Sequence, residues 1–303
     1  MGSLKDKRIL ITGGEGYLGS HLSETLEIMG ARVHIVDLMA TNNQNKYKID
    51  ITDKNSLGKI VQKVNPRIIF HLAALLNRER SFENHDHIMN VNYYGTINLL
   101  KALQEIEYEN FIFASTSEVY GNNPAPFTEY QVPDPCSPYS LSKIFGEQAI
   151  RTYSNLYKKN FTILRLFNFI GSNMPDGFFV PQLIHALQHN IPFNMTGGEQ
   201  IRDYLYIDDV VSAFILAATN AKSLKEVFNV CSGAGVTLKE LAGKLKIKFT
   251  GDNLINYGAL PYRENEIWNM MGDNNKIKQF LGFQPVYRLE EAIELLTQSQ
   301  SND

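Results

Sequence analysis

The chain has 303 residues, of which 44% are apolar and 20% are charged, and its formal net charge is −3. This is the composition of an ordinary globular protein that is long enough to bury one or two hydrophobic cores. The small negative charge comes without a basic block and argues against nucleic acid as a partner, and no apolar run approaches the ~18 residues that a membrane span needs.

The cysteines and the start of the chain bear on the cellular compartment. Cys136 and Cys231 are the two cysteines, and neither belongs to a C-x-x-C pair. Free thiols in a reducing environment are the simplest interpretation. The first strand-like segment begins at Arg8, which leaves no room for a signal peptide. We therefore expect a cytoplasmic protein.

Strand-like and helix-like segments alternate along most of the chain. The strand-like segments are 8–12, 33–36, 68–72, 111–115 and 162–166. The helical patterns are 17–29, 53–64, 87–107 and 139–158 and, farther on, 208–221 and 237–245. Such alternation predicts an α/β fold in which a doubly wound, Rossmann-like parallel sheet carries helices on both faces. Ligands bind at the carboxyl ends of the strands in such sheets.

A glycine-rich turn follows the first strand. Gly14, Gly16 and Gly19 fit the pattern G-x-G-x-x-G, and Gly13, Gly16 and Gly19 fit the looser G-x-x-G-x-x-G. Glycines here permit a tight turn and let backbone N–H groups and the N-terminus of the next helix approach a pyrophosphate. A glycine turn without a ligand can satisfy the same pattern. The strand before it and the helix after it favour a dinucleotide site.

The second strand ends at Asp37, eighteen residues after Gly19. A carboxylate at this point accepts hydrogen bonds from a ribose 2′-hydroxyl and repels a 2′-phosphate. The sequence therefore favours NAD(H) as the cofactor, with NADP(H) as the alternative. A solvated strand end is the interpretation that assigns Asp37 no function.

Two histidine pairs raise the question of a metal. His85 and His87 are two residues apart, and His185 and His189 are four residues apart, which are possible ligand spacings. No cluster of cysteines or carboxylates completes either set. The sequence therefore predicts no metal site, and surface or core histidines are the better interpretation.

The most informative segment runs from Phe111 to Lys143. An apolar strand ends in a hydroxyl cluster that includes Thr116 and Ser117, and a helix after a proline-rich loop presents Tyr139 and Lys143. Positions i and i+4 share a helix face, so the ammonium can lie near the phenol and favour its ionised form. Such a tyrosine can take a proton from a substrate hydroxyl or return one to a carbonyl. The segment predicts oxidation or reduction of a secondary alcohol.

The alternation loosens in the second half of the chain, where prolines and paired glycines interrupt it. We expect a dinucleotide-binding domain over residues 1–170 and a smaller, mainly substrate-binding α/β lobe over 171–303. Part of 205–235, which contains the strand-like run Val227–Val230, is expected to return to the main sheet.

Five segments, G-G-E-G-Y-L-G, H-L-A-A, S-T-S-E-V-Y-G, Y-S-L-S-K and R-L-F-N, occur in this order. With them the chain resembles the extended short-chain dehydrogenase/reductases, and within these the NAD-dependent epimerase/dehydratase family that acts on nucleotide sugars. The resemblance covers essentially the whole chain. It implies that Tyr139 is the catalytic base, that Lys143 assists it and holds the nicotinamide ribose, and that Thr116 binds the reacting sugar hydroxyl.

The same resemblance implies the remaining binding residues. The cofactor-binding residues would be Gly13, Gly16, Tyr17, Leu18, Gly19 and Asp37, with Asp50 and Ile51 at the adenine and Leu72, Ala73 and Ala74 under the pyrophosphate and nicotinamide ribose. The substrate-binding residues would be Asn168, Val180, Arg202 and Arg263. Two arginines suit a nucleoside diphosphate, because each is a planar permanent cation, although most arginines form only surface salt bridges. Relatives often dimerise through the helices at 87–107 and 139–158, so a homodimer is expected.

The resemblance leaves the net reaction open, since members share hydride exchange at the sugar, usually at C4. The C-terminal third resembles 4-ketoreductases such as CDP-abequose and CDP-paratose synthases, so reduction of a 4-keto-(6-deoxy) sugar nucleotide is the first expectation. A 4-epimerase is the alternative, followed by a 4,6-dehydratase, for which Ser117 and Glu118 are further catalytic candidates because a glutamate there could take the C5 proton. A decarboxylase is disfavoured, because no arginine follows Gly171.

A protein that binds dinucleotide without turnover, as a redox sensor or scaffold, is the non-enzymatic alternative. Such members of the superfamily commonly lose the tyrosine or the lysine. Thr116, Tyr139 and Lys143 are all present in this chain, which favours an enzyme.

Overall fold

A parallel sheet of seven strands forms the centre of the molecule, and a computed structural model describes residues 2–77, 79–249 and 254–298. The strands are β1 Arg8–Thr12, β2 Arg32–Asp37, β3 Lys46–Lys48, β4 Ile68–His71, β5 Asn110–Thr116, β6 Phe161–Leu166, β7 Asn168–Ile170, β8 Phe193–Asn194, β9 Ile201–Tyr206, β10 Glu226–Val230, β11 Gly235–Thr237, β12 Ile255–Asn256 and β13 Asn269–Met270. The order across the main sheet is β10-β6-β5-β4-β1-β2-β3. The predicted Rossmann-like α/β class is therefore confirmed.

Helices follow most of the strands. They are α1 Tyr17–Ile28, α2 Lys54–Val64, α3 His85–Ile88, α4 Gly95–Ala102, α5 Pro138–Tyr157, α6 Phe179–Gln188, α7 Ile207–Thr219, α8 Leu238–Lys246, α9 Asn275–Leu281 and α10 Leu289–Gln298. A π-helical turn, Met89–Tyr94, joins α3 to α4, so the helix that we predicted over 87–107 is interrupted and ends earlier. Within the described residues, none of these helices combines the length and apolarity that a membrane span requires.

The order in which successive strands are added to the sheet reverses between β1 and β4. Strands β2 and β3 lie on one side of this point, and β5, β6 and β10 lie on the other. Ligands bind at such a switch point, outside the carboxyl ends of the strands. The predicted return of Val227–Val230 to the sheet agrees with β10, which pairs in parallel with β6. The short strand β3 was not predicted.

A smaller region of sheet and helix lies beside the main sheet. Strands β11, β9 and β13 pair in that order, β7 pairs with β9, and β12 pairs with β8. One hydrophobic cluster joins residues of β1 and α1 to residues of α6, α8 and α10. The predicted division at residue 170 stays a prediction, and residues 250–253 and 299–303 of that second lobe lie outside the described residues.

Helix α5 owes its starting point to a capping box. The Ser137 hydroxyl accepts a hydrogen bond from the Ser140 N–H, the Ser140 side chain bonds back to the Ser137 N–H, and Pro138 occupies the first helical position. Proline suits that position because its missing N–H would be unpaired there. This start places Tyr139 and Lys143 in the first two turns, beside the carboxyl end of β5.

A buried ion pair joins α5 to the sheet. Arg165 on β6 donates to Glu147 on α5 through Nε at 3.0 Å and Nη2 at 2.7 Å, and the Ser115 hydroxyl on β5 donates to Glu147 Oε1 at 2.6 Å. The two charged side chains are only 4% and 1% exposed. Removing one partner of such a pair leaves an uncompensated charge in the interior, which is far more costly than losing an exposed pair.

We expect Glu147→Gln to lower the free energy of unfolding by about 3–5 kcal/mol, because the Arg165 guanidinium would stay buried without its counter-charge. The matched control is Glu107→Gln, which removes a carboxylate that is 86% exposed and paired with Lys159 at 2.9 Å. The control should leave stability nearly unchanged. Urea denaturation of both variants measures the difference, and equal effects would contradict a special role for the buried pair.

Candidate active site

The glycine turn between β1 and α1 is a cradle that larger residues would fill. Gly13 has a φ of +76°, and a Cβ on it would lie 2.6 Å from the backbone nitrogen of Ala73. A Cβ on Gly19 would lie 2.2 Å from the carbonyl oxygen of Gly13. Helix α1 begins after Gly16 without a side-chain cap. These features fit the pyrophosphate of a dinucleotide, which backbone N–H groups at a helix N-terminus can hold.

Asp37 stands against this turn at the end of β2. Its Oδ2 accepts a hydrogen bond from the Glu15 N–H at 3.1 Å, and its Oδ1 accepts one from the Met39 N–H at 2.8 Å. Two backbone donors therefore fix the orientation of the carboxylate. This is the place at which a dinucleotide presents its adenosine ribose in such folds.

A buried histidine, His71, is hydrogen-bonded to Thr12, the residue that precedes the glycine turn. His71 Nε2 lies 2.8 Å from the Thr96 hydroxyl, which itself donates to the carbonyl of Asn92 at 2.6 Å. The Thr96 hydrogen is thus used, so His71 must donate through Nε2 and accept through Nδ1 from the Thr12 hydroxyl at 2.6 Å. Burial, with a contribution from the Lys143 charge, lowers the pKa of His71 to about 3. The ring is therefore neutral and structural.

Asn92 extends the same set of hydrogen bonds to α5, the helix that carries Tyr139 and Lys143. Its side chain accepts from the Leu75 N–H at 2.7 Å and donates to the Leu75 carbonyl at 3.1 Å. It also donates to the Ser142 hydroxyl at 3.0 Å, and this hydroxyl donates to the Tyr139 carbonyl at 2.7 Å. A continuous path of hydrogen bonds therefore connects Thr12, next to the glycine turn, with Tyr139.

Lys143 lies buried under Tyr139. Its ammonium donates to the carbonyl of Ala114 at 2.8 Å and lies 6.0 Å from the centre of the Tyr139 ring. Burial lowers the pKa of Lys143 to about 7, and the Glu147 carboxylate opposes this effect. A lysine with such a pKa can gain or lose a proton near neutral pH, which suits a group that assists proton transfer.

Thr116 is the last residue of β5 and caps the short 3₁₀ turn Ser117–Tyr120. Its hydroxyl oxygen accepts a hydrogen bond from the Glu118 N–H at 3.2 Å. With that lone pair engaged, the hydroxyl hydrogen is available for an acceptor in the cavity that Thr116 lines. A sugar oxygen is an acceptor of this kind.

A cavity of about 250 Å³ brings many of the sequence-predicted residues together. Those that line it are Gly13, Gly16, Tyr17, Leu18, Gly19, Leu72, Ala74, Thr116, Tyr139, Lys143, Asn168 and Val180. A second cavity, of about 680 Å³, contains Arg202 and Arg263. The two cavities share Leu76, Asn168, Phe178, Phe179 and Tyr204, so they are neighbouring parts of one cleft.

Arg202 and Arg263 differ in their surroundings. Arg202 donates through Nη2 to Glu266 at 2.8 Å and through Nη1 to the carbonyls of Ile201 and Ile267, each at 2.8 Å. Burial lowers the pKa of Arg202, although the Glu266 carboxylate opposes this effect. Arg263 is exposed at the surface of the second cavity. Both arginines were predicted from the sequence as substrate-binding residues, but Glu266 as the partner of Arg202 was not.

Six predicted residues, all in the described part of the chain, lie outside the lining of both cavities: Asp37, Asp50, Ile51, Ala73, Ser117 and Glu118. Ser117 turns away, and its hydroxyl donates to the sulfur of Met270 at 3.2 Å. Asp50 accepts the Thr52 N–H at 2.8 Å, and Ile51 is buried. Ala73 contributes backbone packing behind Gly13. A 4,6-dehydratase would use Ser117 or Glu118 to eliminate water. The positions of these two residues therefore help to distinguish the possible reactions.

The polar residues that hold this arrangement in place were not predicted from the sequence. Thr12, Asn92, Thr96 and Ser142 are all buried, yet none of them was singled out. The signal available was polar side chains on segments that are otherwise apolar, above all in V-N-Y-Y-G-T, where the helix departs from α geometry. Single π turns inside helices occur frequently at functional sites.

Neither histidine pair gathers further metal ligands. His185 and His189 stack with their ring centres 4.3 Å apart, and His85 bonds to Asp86 at 2.8 Å. Within residues 2–77, 79–249 and 254–298, no group of three or more His, Cys, Asp or Glu side chains could hold a metal ion.

Comparison with known proteins identifies the family. Residues 9–231 match the NAD dependent epimerase/dehydratase family. The chain belongs to this family. A UDP-N-acetyl-alpha-D-glucosaminuronate decarboxylase of Bacillus cytotoxicus is 31% identical, with 95% of this chain and 96% of the relative covered. A UDP-glucose 4-epimerase of Rhizobium meliloti is 29% identical, with 96% of each chain covered.

Solved structures agree with this assignment. The UDP-glucose 4-epimerase of Thermotoga maritima, determined with UDP-glucose, superposes with a TM-score of 0.90 at 30% identity and covers 97% of this chain and 98% of its own. The chain is thus a nucleotide-sugar enzyme of the extended short-chain dehydrogenase/reductase type, as the motifs predicted. The family comprises NAD-dependent epimerases and dehydratases, and the relatives named above are a decarboxylase and two 4-epimerases, which leaves the individual reaction open.

We expect Gly19→Ala to weaken NAD⁺ binding by at least about tenfold, because the new Cβ would collide with the Gly13 carbonyl and displace the turn. The control is Gly58→Ala, another glycine early in a helix, where a Cβ meets nothing within 4 Å. That change should leave NAD⁺ binding intact and raise stability slightly. Calorimetric titration with NAD⁺ checks both, and full affinity in Gly19→Ala would refute the assigned role of the turn.

Proposed function

We propose that the chain is a nucleotide-sugar 4-epimerase that keeps NAD bound through the catalytic cycle. The observation that carries the proposal is the composition of the cleft. Thr116, Tyr139 and Lys143 line the cavity that begins at the glycine turn, whereas the Ser117 hydroxyl points away to the sulfur of Met270. The groups for hydride and proton exchange at an alcohol thus meet in the cleft without a contribution from Ser117, one of the two residues proposed for elimination of water.

Two of the three relatives named above support the same choice and suggest a UDP-hexose as the substrate. A relative from Rhizobium meliloti and a solved structure from Thermotoga maritima are both UDP-glucose 4-epimerases, and each covers nearly all of this chain. This reverses the order in which the C-terminal motifs alone ranked 4-keto reduction and epimerisation.

NAD, held along the glycine turn, would supply the hydride acceptor for sugar C4 and the hydride donor for the 4-ketone. Tyr139 removes the proton of the C4 hydroxyl and later returns it, and Lys143, when protonated, places a positive charge near the phenol ring. Thr116 donates a hydrogen bond to the C4 oxygen. Asn168, Phe178 and Tyr204 line both cavities and enclose the space in which the sugar must present its other face.

The diphosphate would lie in the second cavity. Arg202 is held by Glu266 and two carbonyls, and Arg263, which is exposed, lines the same cavity. Two guanidinium groups in one cavity suit an anion that must be held while the sugar turns. Binding energy from the diphosphate then stays constant through both half-reactions.

Asp37 supports NAD as the cofactor. Its carboxylate is fixed by two backbone N–H groups where the ribose 2′-hydroxyl would lie, and a 2′-phosphate would meet like charge there. An epimerase regenerates its cofactor in every cycle, so tight binding of NAD costs it nothing in turnover. A 4-ketoreductase, the second candidate, rests on the likeness of the C-terminal motifs and would consume reduced cofactor.

We also propose that the enzyme is a homodimer through α4, α5 and the π turn between α3 and α4. These elements line a shallow depression of about 600 Å³. Tyr94, Phe145, Leu156 and Tyr157 are apolar side chains exposed on it, with Leu156 70% exposed. A contiguous exposed apolar patch of this kind is typical of a protein interface.

The first test is incubation with UDP-glucose without added cofactor, followed by NMR of the sugar. We expect UDP-galactose to appear with no net change in the ultraviolet absorbance of NADH. Tyr139→Phe should retain bound NAD but lose about 10²-fold or more in turnover. Tyr130→Phe, which alters a tyrosine that is 82% exposed, is the matched control and should remain active.

Two outcomes would overturn the proposed reaction. Stoichiometric loss of NADH with 4-keto-6-deoxy sugar nucleotides, without isomerisation of UDP-sugars, would assign a reductase. Release of a 4-keto-6-deoxy sugar, abolished in Glu118→Gln, would assign a dehydratase. An epimerase should keep most of its activity in Glu118→Gln, because epimerisation at C4 needs no proton transfer at C5.

The second test concerns the dimer. We expect Leu156→Asp to halve the mass in solution, because a charge would be buried at the interface. Ile28→Asp, at a position on α1 that is 81% exposed, should leave the mass unchanged. Analytical ultracentrifugation measures both, and a wild-type mass of one chain at micromolar concentration would contradict the dimer.

A further inference from the structure

Two lysines lie unexpectedly close to the carboxylate that favours NAD. Strand β3 pairs in parallel with β2, with Lys46 opposite Ile35 and Lys48 opposite Asp37. Residues opposite each other share a face of the sheet, and so do residues two apart on a strand. The side chains of Lys46 and Lys48 therefore emerge on the same face as Asp37. Lysines beside a ribose are what a 2′-phosphate requires, which conflicts with a preference for NAD.

Glu15, in the glycine turn, resolves this conflict for one of the two lysines, because it neutralises that lysine's charge. Its carboxylate forms an ion pair with the Lys46 ammonium at 2.8 Å, and the two side chains are 27% and 40% exposed. The backbone N–H of the same residue donates to Asp37 at 3.1 Å. One residue thus holds the Asp37 carboxylate through its backbone and neutralises Lys46 through its side chain.

We propose that Glu15 is a specificity-determining residue that masks Lys46 and so prevents it from binding the 2′-phosphate of NADP. The inference rests on the proposed use of NAD. A 2′-phosphate would meet the carboxylates of Asp37 and Glu15, and Lys46 would already be paired with Glu15. Lys48, which is exposed, stays solvated beside them. Discrimination between NAD and NADP would therefore come from the carboxylates of Asp37 and Glu15 and from the pairing of Lys46, rather than from Asp37 alone.

Masking of Lys46 by Glu15 and simple repulsion by the Glu15 carboxylate predict different results when both residues are changed. If Glu15 acted only by repulsion, its neutralisation would favour NADP whether or not Lys46 is present. If it acts by masking, the gain requires the freed ammonium. The two variants and their combination separate these contributions as a double-mutant cycle does.

The test measures Kd for NAD⁺ and for NADP⁺ by calorimetry on protein freed of dinucleotide with charcoal. We expect Glu15→Gln to tighten NADP⁺ binding by about tenfold, the effect of roughly one charge pair near a surface. NAD⁺ binding should change by less than about twofold, because a neutral 2′-hydroxyl gains little from a free lysine. Lys46→Gln alone should bring no gain, and the double variant should lose the gain of Glu15→Gln.

The control Glu24→Gln removes an exposed carboxylate of α1 and changes the net charge equally. It should leave both dissociation constants unchanged. Unaltered NADP⁺ affinity in Glu15→Gln, or a gain that persists in the double variant, would overturn the masking role. A wild-type protein that binds NADP⁺ more tightly than NAD⁺ would overturn the NAD cofactor and this inference together. Lack of epimerase activity with a normal NAD⁺ preference would overturn only the proposed reaction.

Discussion

The position of α5 against the sheet is the constraint on which the catalytic cleft depends, and the buried contact between Arg165 and Glu147 sets it. Glu147 lies one turn after Lys143 on the helix, and its carboxylate also binds the Ser115 hydroxyl, next to Thr116 on β5. The same contact therefore fixes the distance between the helix that carries the tyrosine and the strand that carries the threonine. A negative charge at Glu147 also favours the protonated form of Lys143, which burial disfavours.

A second set of contacts ties the cofactor turn to this helix. Hydrogen bonds run from Thr12 through His71 and Thr96 to Asn92, and from Asn92 through Ser142 to the carbonyl of Tyr139. Every member is buried, so a broken link would leave an unpaired polar group in the interior. The glycine turn and Tyr139 are consequently placed by one rigid arrangement. The proposed reaction requires this, because hydride transfer at C4 and proton transfer at its oxygen need the cofactor and the base to reach adjacent atoms in one geometry.

The sequence predicted what depends on local pattern and missed what depends on distant partners. Buried parallel strands are continuous apolar runs, and glycine turns have fixed spacings, so the sheet and the turn could be predicted from the amino-acid sequence alone. Strand β3 has three residues, two of them lysines, and offers no such run. The pairing of Arg202 with Glu266 spans sixty-four positions, and the turn of Ser117 towards Met270 spans more than one hundred and fifty. No local pattern encodes which side chain meets another at such separations.

The direction of Ser117 illustrates why shared motifs leave the reaction open. The segment Thr116-Ser117-Glu118 offers candidates both for hydride exchange and for elimination of water, yet backbone geometry decides which of its hydroxyls lines the cleft. Thr116 ends a strand and caps the following turn, so its hydroxyl lines the cavity while the next residue packs against Met270. A residue type thus specifies a possible proton donor or acceptor, and only its direction makes that group part of the reaction. Epimerisation needs fewer such groups than elimination, so the direction of Ser117 bears on the choice between the two reactions.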